Sequence, residues 1–233
     1  FFEELRRFKE KIPDPTIYLS SNISLILDYH KKLDKINESI LVGNSKIGTT
    51  AKGIGPAYQD KVGRKSIKLS DLSNKDILDS KLHNIKSFYD PILLAFSENP
   101  INITDYKNSL SEKYETLKSL IVDNNFINNN FGSKKILFEG AQGALLDLDY
   151  GSYPFVTSSN TISSYIPIGS GINKNYETLG IFKAYATRVG NGPFPSELNN
   201  DIGDYLGEKG FEFGTVTKRK RRCGWLDLVA LKY

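Results

Sequence analysis

Five consecutive cations, Lys218-Arg219-Lys220-Arg221-Arg222, form a dense run of positive charge. Like charges this close repel one another and settle only beside anions. Arginine's planar fork suits bidentate binding of a carboxylate or phosphate, a geometry that lysine does not replace. As an isolated pattern, such a run more often marks a nucleic-acid patch or a solvated face. Here it lies between Gly214 and Gly224 and leads into apolar Trp225, which places it in a fold rather than on a tail. Cys223, next to it, has no histidine or motif to make it a nucleophile.

Three further segments have residue types that hold anions or polar rings. Gly43 and Gly48 have phosphate-loop spacing, but Thr49 stands where GxxxxGK[ST] needs its lysine, so no side chain reaches β and γ phosphates. Gly48-Thr49-Thr50, followed by Gly53, Gly55 and Pro56, still presents amides and hydroxyls suited to one anion; a tight structural loop is the commoner use of such a pattern. Glu139-Gly-Ala-Gln142-Gly follows Lys134–Phe138, which reads as a short buried strand, and open α/β sheets bind ligands at carboxyl ends of strands. Gln142 offers a donor and an acceptor, as a purine edge requires, or it bonds its own loop. Thr157-Ser158-Ser159-Asn160-Thr161 can fasten a phosphate through neutral hydrogen bonds, or form a plain surface loop. Asp147 and Asp149 share one side of a strand as a conceivable metal pair, but apolar neighbours favour a structural role. His30 and His83 lie on helical stretches without metal-ligand spacing.

The elements that must position these groups alternate between helix and strand, which argues α/β. Phe2, Leu5 and Phe8 recur at helical spacing. Residues 20–38 read as a helix with Ser20, Ser21 and Asn22 as cap candidates and Ile26, Tyr29, Leu33 and Ile36 on one face. From about 71 to 131 the spacing predicts two amphipathic helices, striped by Leu78, Leu82, Ile85 and Tyr89 and by Leu110, Tyr114, Leu117 and Ile121. Pro91 and Pro100 should separate them. Asn124 to Asn130 reads as a polar linker, Ile181 to Arg188 as a strand, and Asp201 as the cap of a helix ending near Gly207 or Gly210.

Composition bounds the rest. The 233 residues are 39% hydrophobic and 25% charged, with a net charge of +4, one cysteine and no methionine. That balance is globular, too mild to demand a polyanionic partner and free of internal disulfides. With no signal peptide and no long apolar run, a soluble cytoplasmic protein is expected. Both ends fall within structured-looking sequence, so the chain reads as cut from something longer.

Taken in order, IGTTAKGIGPAYQDKVGR, LFEGAQGALLDLDYGSYPFVTSSNT, GIFKAYATRVGNGPFPSEL and FEFGTVTKRKRRCGWLD resemble signature stretches of the adenylosuccinate synthetase family. LILDYHKKLD fits too, and only residues 71–131 are generic. The resemblance implies a P-loop-NTPase-like α/β fold, a mixed sheet flanked by helices. This chain would be the central part of a single larger catalytic domain, with a helical insertion. It implies GTP-dependent ligation of IMP and L-aspartate through 6-phosphoryl-IMP, with Mg2+, in a homodimer. Thr50, Gln142, Thr157 and Arg219 would bind IMP, and Arg64 would reach IMP in the partner subunit. Thr215, Val216, Thr217, Lys218, Arg219, Lys220 and Arg221 would close over aspartate, Arg221 also meeting GTP. Catalytic residues, the phosphate loop and the metal ligands would lie upstream of Phe1, and guanine recognition beyond Tyr233, so this stretch alone should not turn over. Lys52 stands where the family usually has arginine, Lys218 where it has glycine, Val216 for a threonine, and Ser163-Ser164 for a glycine pair. Two other classes compete. A nucleic-acid binder built on Lys218–Arg222 needs further basic clusters and a steep salt dependence. A purely structural dimerisation fragment would leave the Gln142 and Thr157 loops without ligands.

Overall fold

The computed structural model describes residues 1–43, 46–131, 133–172, 174–214 and 218–233. The core is helical. Leu33 and Ile36 of α2 (Asp28–Ile40), Leu78, Leu82, Ile85, Tyr89 and Leu93 of α4 (Lys75–Ala95), and Leu110 and Leu117 of α5 (Ile103–Leu117) share one buried cluster. Burying aliphatic and aromatic side chains of this size stabilises by about 1.5–3 kcal/mol each. Both predicted stripes therefore face inward, although the second leaves the helix after Leu117, and Ile121 packs on the cluster from a strand. Asn74 and Asn102 start α4 and α5 by accepting from the second and third helical amides.

Polar groups in this core are matched. Asp60 of α3 (Ile54–Val62) is 0% exposed and accepts from Tyr29 Oη at 2.5 Å, from His30 Nε2 at 3.0 Å and from Tyr89 Oη. Nδ1 of His30 accepts from the Leu27 amide at 2.9 Å, so the ring proton belongs on Nε2 and points at Asp60. Burial pushes the Asp60 carboxyl up, and the hydrogen bonds from His30, Tyr29 and Tyr89 together outweigh it, holding the group below the usual range. Burial, then Asp60, raises both phenols. The cluster clamps α3 between α2 and α4, so the ends of α3 are rigidly placed.

Two short sheets complete a helix-rich α/β arrangement. β1 (Leu19–Ser20) runs parallel to β2 (Ile121–Val122). β3 (Ala186–Arg188) runs antiparallel to β4 (Arg222–Gly224), with Thr187 opposite Cys223. A helix, α1 (Phe2–Lys11), forms where the apolar spacing places it, and a short one, α7 (Ile166–Ser170), follows the hydroxyl-rich segment. Among the described residues no helix is long and apolar enough to cross a membrane.

Several expectations are corrected. The helix expected at 20–38 begins at Asp28, because the backbone ahead of it pairs sideways: Leu25 donates to Ile67 O at 2.9 Å and Leu69 to Ile23 O at 2.8 Å. Pro91 lies inside α4 rather than ending it; the lost amide bond falls near the helix end, and Tyr89 and Leu93 are buried on either side. Asn124–Phe131 is a helix, α6, and no linker: Asp123 Oδ1 accepts from the Phe126 amide, and Phe126 and Phe131 pack against Tyr18. Lys134–Phe138 forms no strand. Among the described residues no neighbour supplies its ladder, and Leu137 is 93% exposed. For the same reason Ile181–Arg188 contracts to Ala186–Arg188, the part that lies along β4. Asn200, not Asp201, caps α8 (Asp201–Lys209).

Candidate functional site

Two carboxylates on one face of α2 hold the segment from Gly48 to Gly53. Asp34 accepts from Thr49 Oγ1 at 3.0 Å and from the Gly53 amide at 2.8 Å, and Glu38 accepts from the Gly48 amide at 2.7 Å. This spacing of four residues is one helical turn. The bonds sort the groups that sequence alone leaves equivalent. The amides of Gly48 and Gly53 are committed within the protein, so they are not the anion holders that the glycine pattern suggested. The Thr49 hydroxyl is committed too, whereas Thr50 is exposed. Gly53 has φ +79°, and a Cβ there would lie 2.9 Å from the backbone of His30, so glycine is required.

Asp147 organises the hydroxyl-rich loop. Its buried carboxylate accepts from the amides of Asp149 at 2.9 Å, Tyr150 at 3.1 Å, Ile162 at 3.2 Å and Thr161. Burial pushes the carboxyl up, but the amides of Thr161, Tyr150, Asp149 and Ile162 bring it down to about 2. Asp149 Oδ2 accepts from Asn160 Nδ2 at 2.6 Å. Both acids are thus loop staples, and among the described residues no three His, Cys, Asp or Glu side chains stand together as a metal site. The staple sets Thr157, whose amide donates to Leu146 O at 2.8 Å. It also brings Ser158 beside the start of α3, where a Cβ on Gly55 would stand 3.2 Å from Ser158 Oγ.

The basic run is the returning arm of a hairpin. Phe213 bridges Lys220, Arg221 donates its amide to Glu212 O at 2.8 Å, and Lys218 donates to Gly214 O at 2.8 Å. Arg219, Lys220, Arg221 and Arg222 each meet a different partner. Arg222 forms a fork with Glu197 at 2.6 and 2.5 Å, Lys220 pairs with Asp204 at 2.6 Å, and Arg221 pairs with Glu212 at 2.9 Å. Arg219 Nη2 donates to Gly48 O at 3.2 Å. Lys218 is exposed with φ 55°. Thr215, Val216 and Thr217 lie outside the described residues. Acidic partners from α8 and the loops thus break up the positive field that a nucleic-acid surface needs, and that reading has no support here.

A loop after β3 completes the junction. A Cβ on Gly190 would lie 3.0 Å from Ile47 O, and one on Gly48 would lie 3.1 Å from Arg219 Nη1. Asn191 Nδ2 donates to Lys46 O at 2.7 Å. Arg219 thus meets the Gly48–Gly53 loop that leads into α3, and the Thr157–Ser158 loop meets the first turn of α3 at Gly55.

The family model for adenylosuccinate synthetase matches residues 1–233. The chain belongs to the adenylosuccinate synthetase family. It is 46% identical to the adenylosuccinate synthetase of Chlorobaculum tepidum over 93% of this chain and 51% of that one. The enzyme of the Wolbachia of Culex pipiens is 47% identical over 93% and 51%. The fully ligated adenylosuccinate synthetase of Plasmodium falciparum superposes with a TM-score of 0.82 at 39% identity, covering 96% of this chain and 55% of that one. A succinoaminodeoxyadenylate synthetase of cyanophage S-2L, at 19% identity and TM-score 0.60, shares the fold. The chain spans about half the length of the curated adenylosuccinate synthetases it matches.

Two residues that the adenylosuccinate synthetase resemblance singles out stand apart from the junction. Gln142 is exposed with φ 60°, in a segment tied down where Thr161 Oγ1 donates to Gly143 O at 2.8 Å. Arg64 is exposed at the far end of α3, about 13 Å from its start at 1.5 Å per residue. Both adopt left-handed backbone, uncommon for non-glycine residues and concentrated at functional positions. Sequence reasoning missed Asp34, Glu38, Asn191 and Glu212, while the structural role it favoured for Asp147 and Asp149 is the one they play. The signal for Asp34 and Glu38 was an acidic pair at helical spacing ahead of a glycine loop. For Glu212 it was a lone acid between two phenylalanines.

Proposed function

We propose that this chain carries the IMP- and L-aspartate-binding part of an adenylosuccinate synthetase, a GTP-dependent carbon–nitrogen ligase forming GDP in the synthesis of AMP. The observation that carries the reading is the contact of Arg219 with Gly48 in Thr50's loop, together with the contact of Ser158 with the first turn of α3 that this loop leads into, in a chain of this family. Thr50 and Thr157 would hold the IMP phosphate through neutral hydrogen bonds, with Arg219 toward the ribose and the aspartate. Arg221 would meet aspartate and the GTP side, and Thr215, Val216, Thr217, Lys218 and Lys220 would join it in binding aspartate. Gln142 would border the hypoxanthine ring.

In the reaction this family implies, O6 of IMP attacks the γ-phosphorus of GTP and GDP leaves. The aspartate amine then attacks C6, and phosphate departs from 6-phosphoryl-IMP. What these residues would supply is orientation and charge: the arginines face negative groups, and a closed hairpin excludes water. Magnesium belongs to the family's reaction, but the described residues offer it no ligand set. Arg64 is read as reaching the IMP of a partner subunit, since it is exposed beyond the far end of α3 from its own chain's junction. Val62, 80% exposed, and Phe88, 52% exposed beneath Lys65, flank it with apolar surface suited to a homodimer. A cytoplasmic setting goes with this reading.

The test is calorimetric titration of IMP into the chain and into Arg219→Ala and Thr157→Ala at two salt concentrations. Binding that both substitutions abolish supports the site. No binding by the folded chain refutes an autonomous IMP site, and salt-steep RNA binding instead would revive the nucleic-acid reading.

A further inference from the structure

Glu212 is a charged residue buried between two exposed aromatics, in a turn where the Phe213 amide donates to Phe211 O at 2.8 Å. Its flanking residues Phe211 and Phe213 are 82% and 44% exposed, while Glu212 itself is 3% exposed. A carboxylate goes inside only when its oxygens are matched, and here they are. Oε1 accepts from Lys183 Nζ and from Tyr185 Oη, each at 2.6 Å, and Oε2 accepts from Arg221 Nη1 at 2.9 Å. Its backbone takes part as well. The amide donates to Gly207 O at 2.9 Å at the end of α8, and the carbonyl accepts from the Arg221 amide at 2.8 Å.

Arg221 is therefore held twice by one residue, at its backbone and at its guanidinium. The other cations of the hairpin are secured differently. The partner of Lys220, Asp204, is exposed, and Arg219 donates to a neutral carbonyl. Lys183 and Arg221 together place two positive charges on one negative one, so the ensemble keeps a net positive charge. Its burial strengthens the charge-assisted contacts relative to those at the surface.

We propose that Glu212 is the positioning residue for Arg221, fixing Nη1 so that the guanidinium presents a constant edge to the carboxylate of a bound amino-acid substrate. The substrate half of this rests on the aspartate reading above; the coupling between the two side chains does not. Tyr185 and Lys183 hold Glu212 in turn and link the hairpin to the lead-in of β3, so the set reaches across both strands of that sheet.

The experiment is NMR of the arginine side chains in the 15N-labelled chain, with the Arg221 signals assigned by their loss in Arg221→Lys. In the wild type the Arg221 Nη groups should rotate slowly and give separate signals. Glu212→Gln, which keeps the shape and withdraws the charge, should speed that rotation at least about tenfold, as expected when a charge-assisted hydrogen bond becomes a neutral one. Lys183→Met, which takes the other cation from Glu212, should leave it slow. Wild-type Arg221 rotating as fast as exposed Arg64 overturns the proposal with no variant needed, as does equal loosening in Glu212→Gln and Lys183→Met. With IMP present, L-aspartate should shift the Arg221 Nε–H signal, with affinity about tenfold lower in Glu212→Gln and IMP affinity unchanged. If Arg221 depends on Glu212 yet L-aspartate moves it in neither protein, the coupling stands and the aspartate-site reading fails.

Discussion

Arg219 Nη2 donates to the carbonyl of Gly48 at 3.2 Å, across 171 positions of sequence. That contact ties the basic hairpin to the glycine loop. Gly48 has φ +77°, and a Cβ there would stand 3.1 and 3.3 Å from the two terminal nitrogens of Arg219. Gly48→Ala therefore adds left-handed strain of roughly 1–2 kcal/mol and displaces the guanidinium. Denaturant unfolding should show the loss. Arg219→Ala, at an exposed position, should change stability by less than about 0.5 kcal/mol. Equal stability of Gly48→Ala and wild type would mean that the loop accommodates a side chain and the contact is incidental.

Stability should fall in acid through Asp147. Its folded carboxyl titrates at about 2, below the ordinary value near 3.8. The depressed value means that ionised Asp147 favours the folded state. Its contribution is fully present above the ordinary value and is lost as pH falls from there through about 2. Urea midpoints of the wild type should drop across that window. Asp147→Asn, which replaces an acceptor-only carboxylate with an amide facing several N–H donors, should be weaker at neutral pH by about 2–3 kcal/mol. It should also have a flatter acid limb, and an acid limb as steep as wild type would assign the drop to other carboxylates.

The parts of this molecule legible in its sequence are those with local causes. The stripes of α4 and α5 bury as their periodicity requires, because a helix closes its own hydrogen bonds and needs neighbours only to cover one face. Lys134–Phe138 has the composition of a strand but no ladder partner among the described residues, and a strand has no existence without one. The same divide runs through the site. Gly48, Thr157 and Arg219 stand out by type. Which of Thr49 and Thr50 is committed depends on Asp34 of α2, 15 residues away from Thr49, and the charge that pairs with Arg221 comes from a residue disguised between two phenylalanines.

Two exposed residues should become more stable as glycine. Lys218 has φ 55° and Arg64 φ 60°, each in the left-handed region. Lys218→Gly and Arg64→Gly should each relieve roughly 1 kcal/mol of backbone strain, less a smaller entropic cost from the freer unfolded chain. Thermal unfolding measures the gain. The pair should part in function if the proposed dimer forms: IMP affinity should survive Lys218→Gly and fall in Arg64→Gly. An Arg64→Gly variant that gains stability and keeps IMP affinity would remove Arg64 from the site.

Adjacent threonines should behave oppositely. Thr49 gives its hydroxyl to Asp34 at 3.0 Å, and Thr49→Val leaves that carboxylate, already 8% exposed, short of a donor. The expected cost is about 1–2 kcal/mol of stability, because an unmatched buried acceptor loses more than the bond itself. Thr50→Val, at an exposed hydroxyl, should leave the unfolding midpoint within error. In IMP titrations the proposed site reverses the order: Thr50→Val should lose at least tenfold in affinity, about 1.4 kcal/mol, because the proposed phosphate contact is removed. Thr49→Val should retain affinity in proportion to how well Asp34 still holds Gly53. If Thr49→Val proves the more damaging to IMP binding and the less damaging to stability, the two hydroxyls have been assigned the wrong way round.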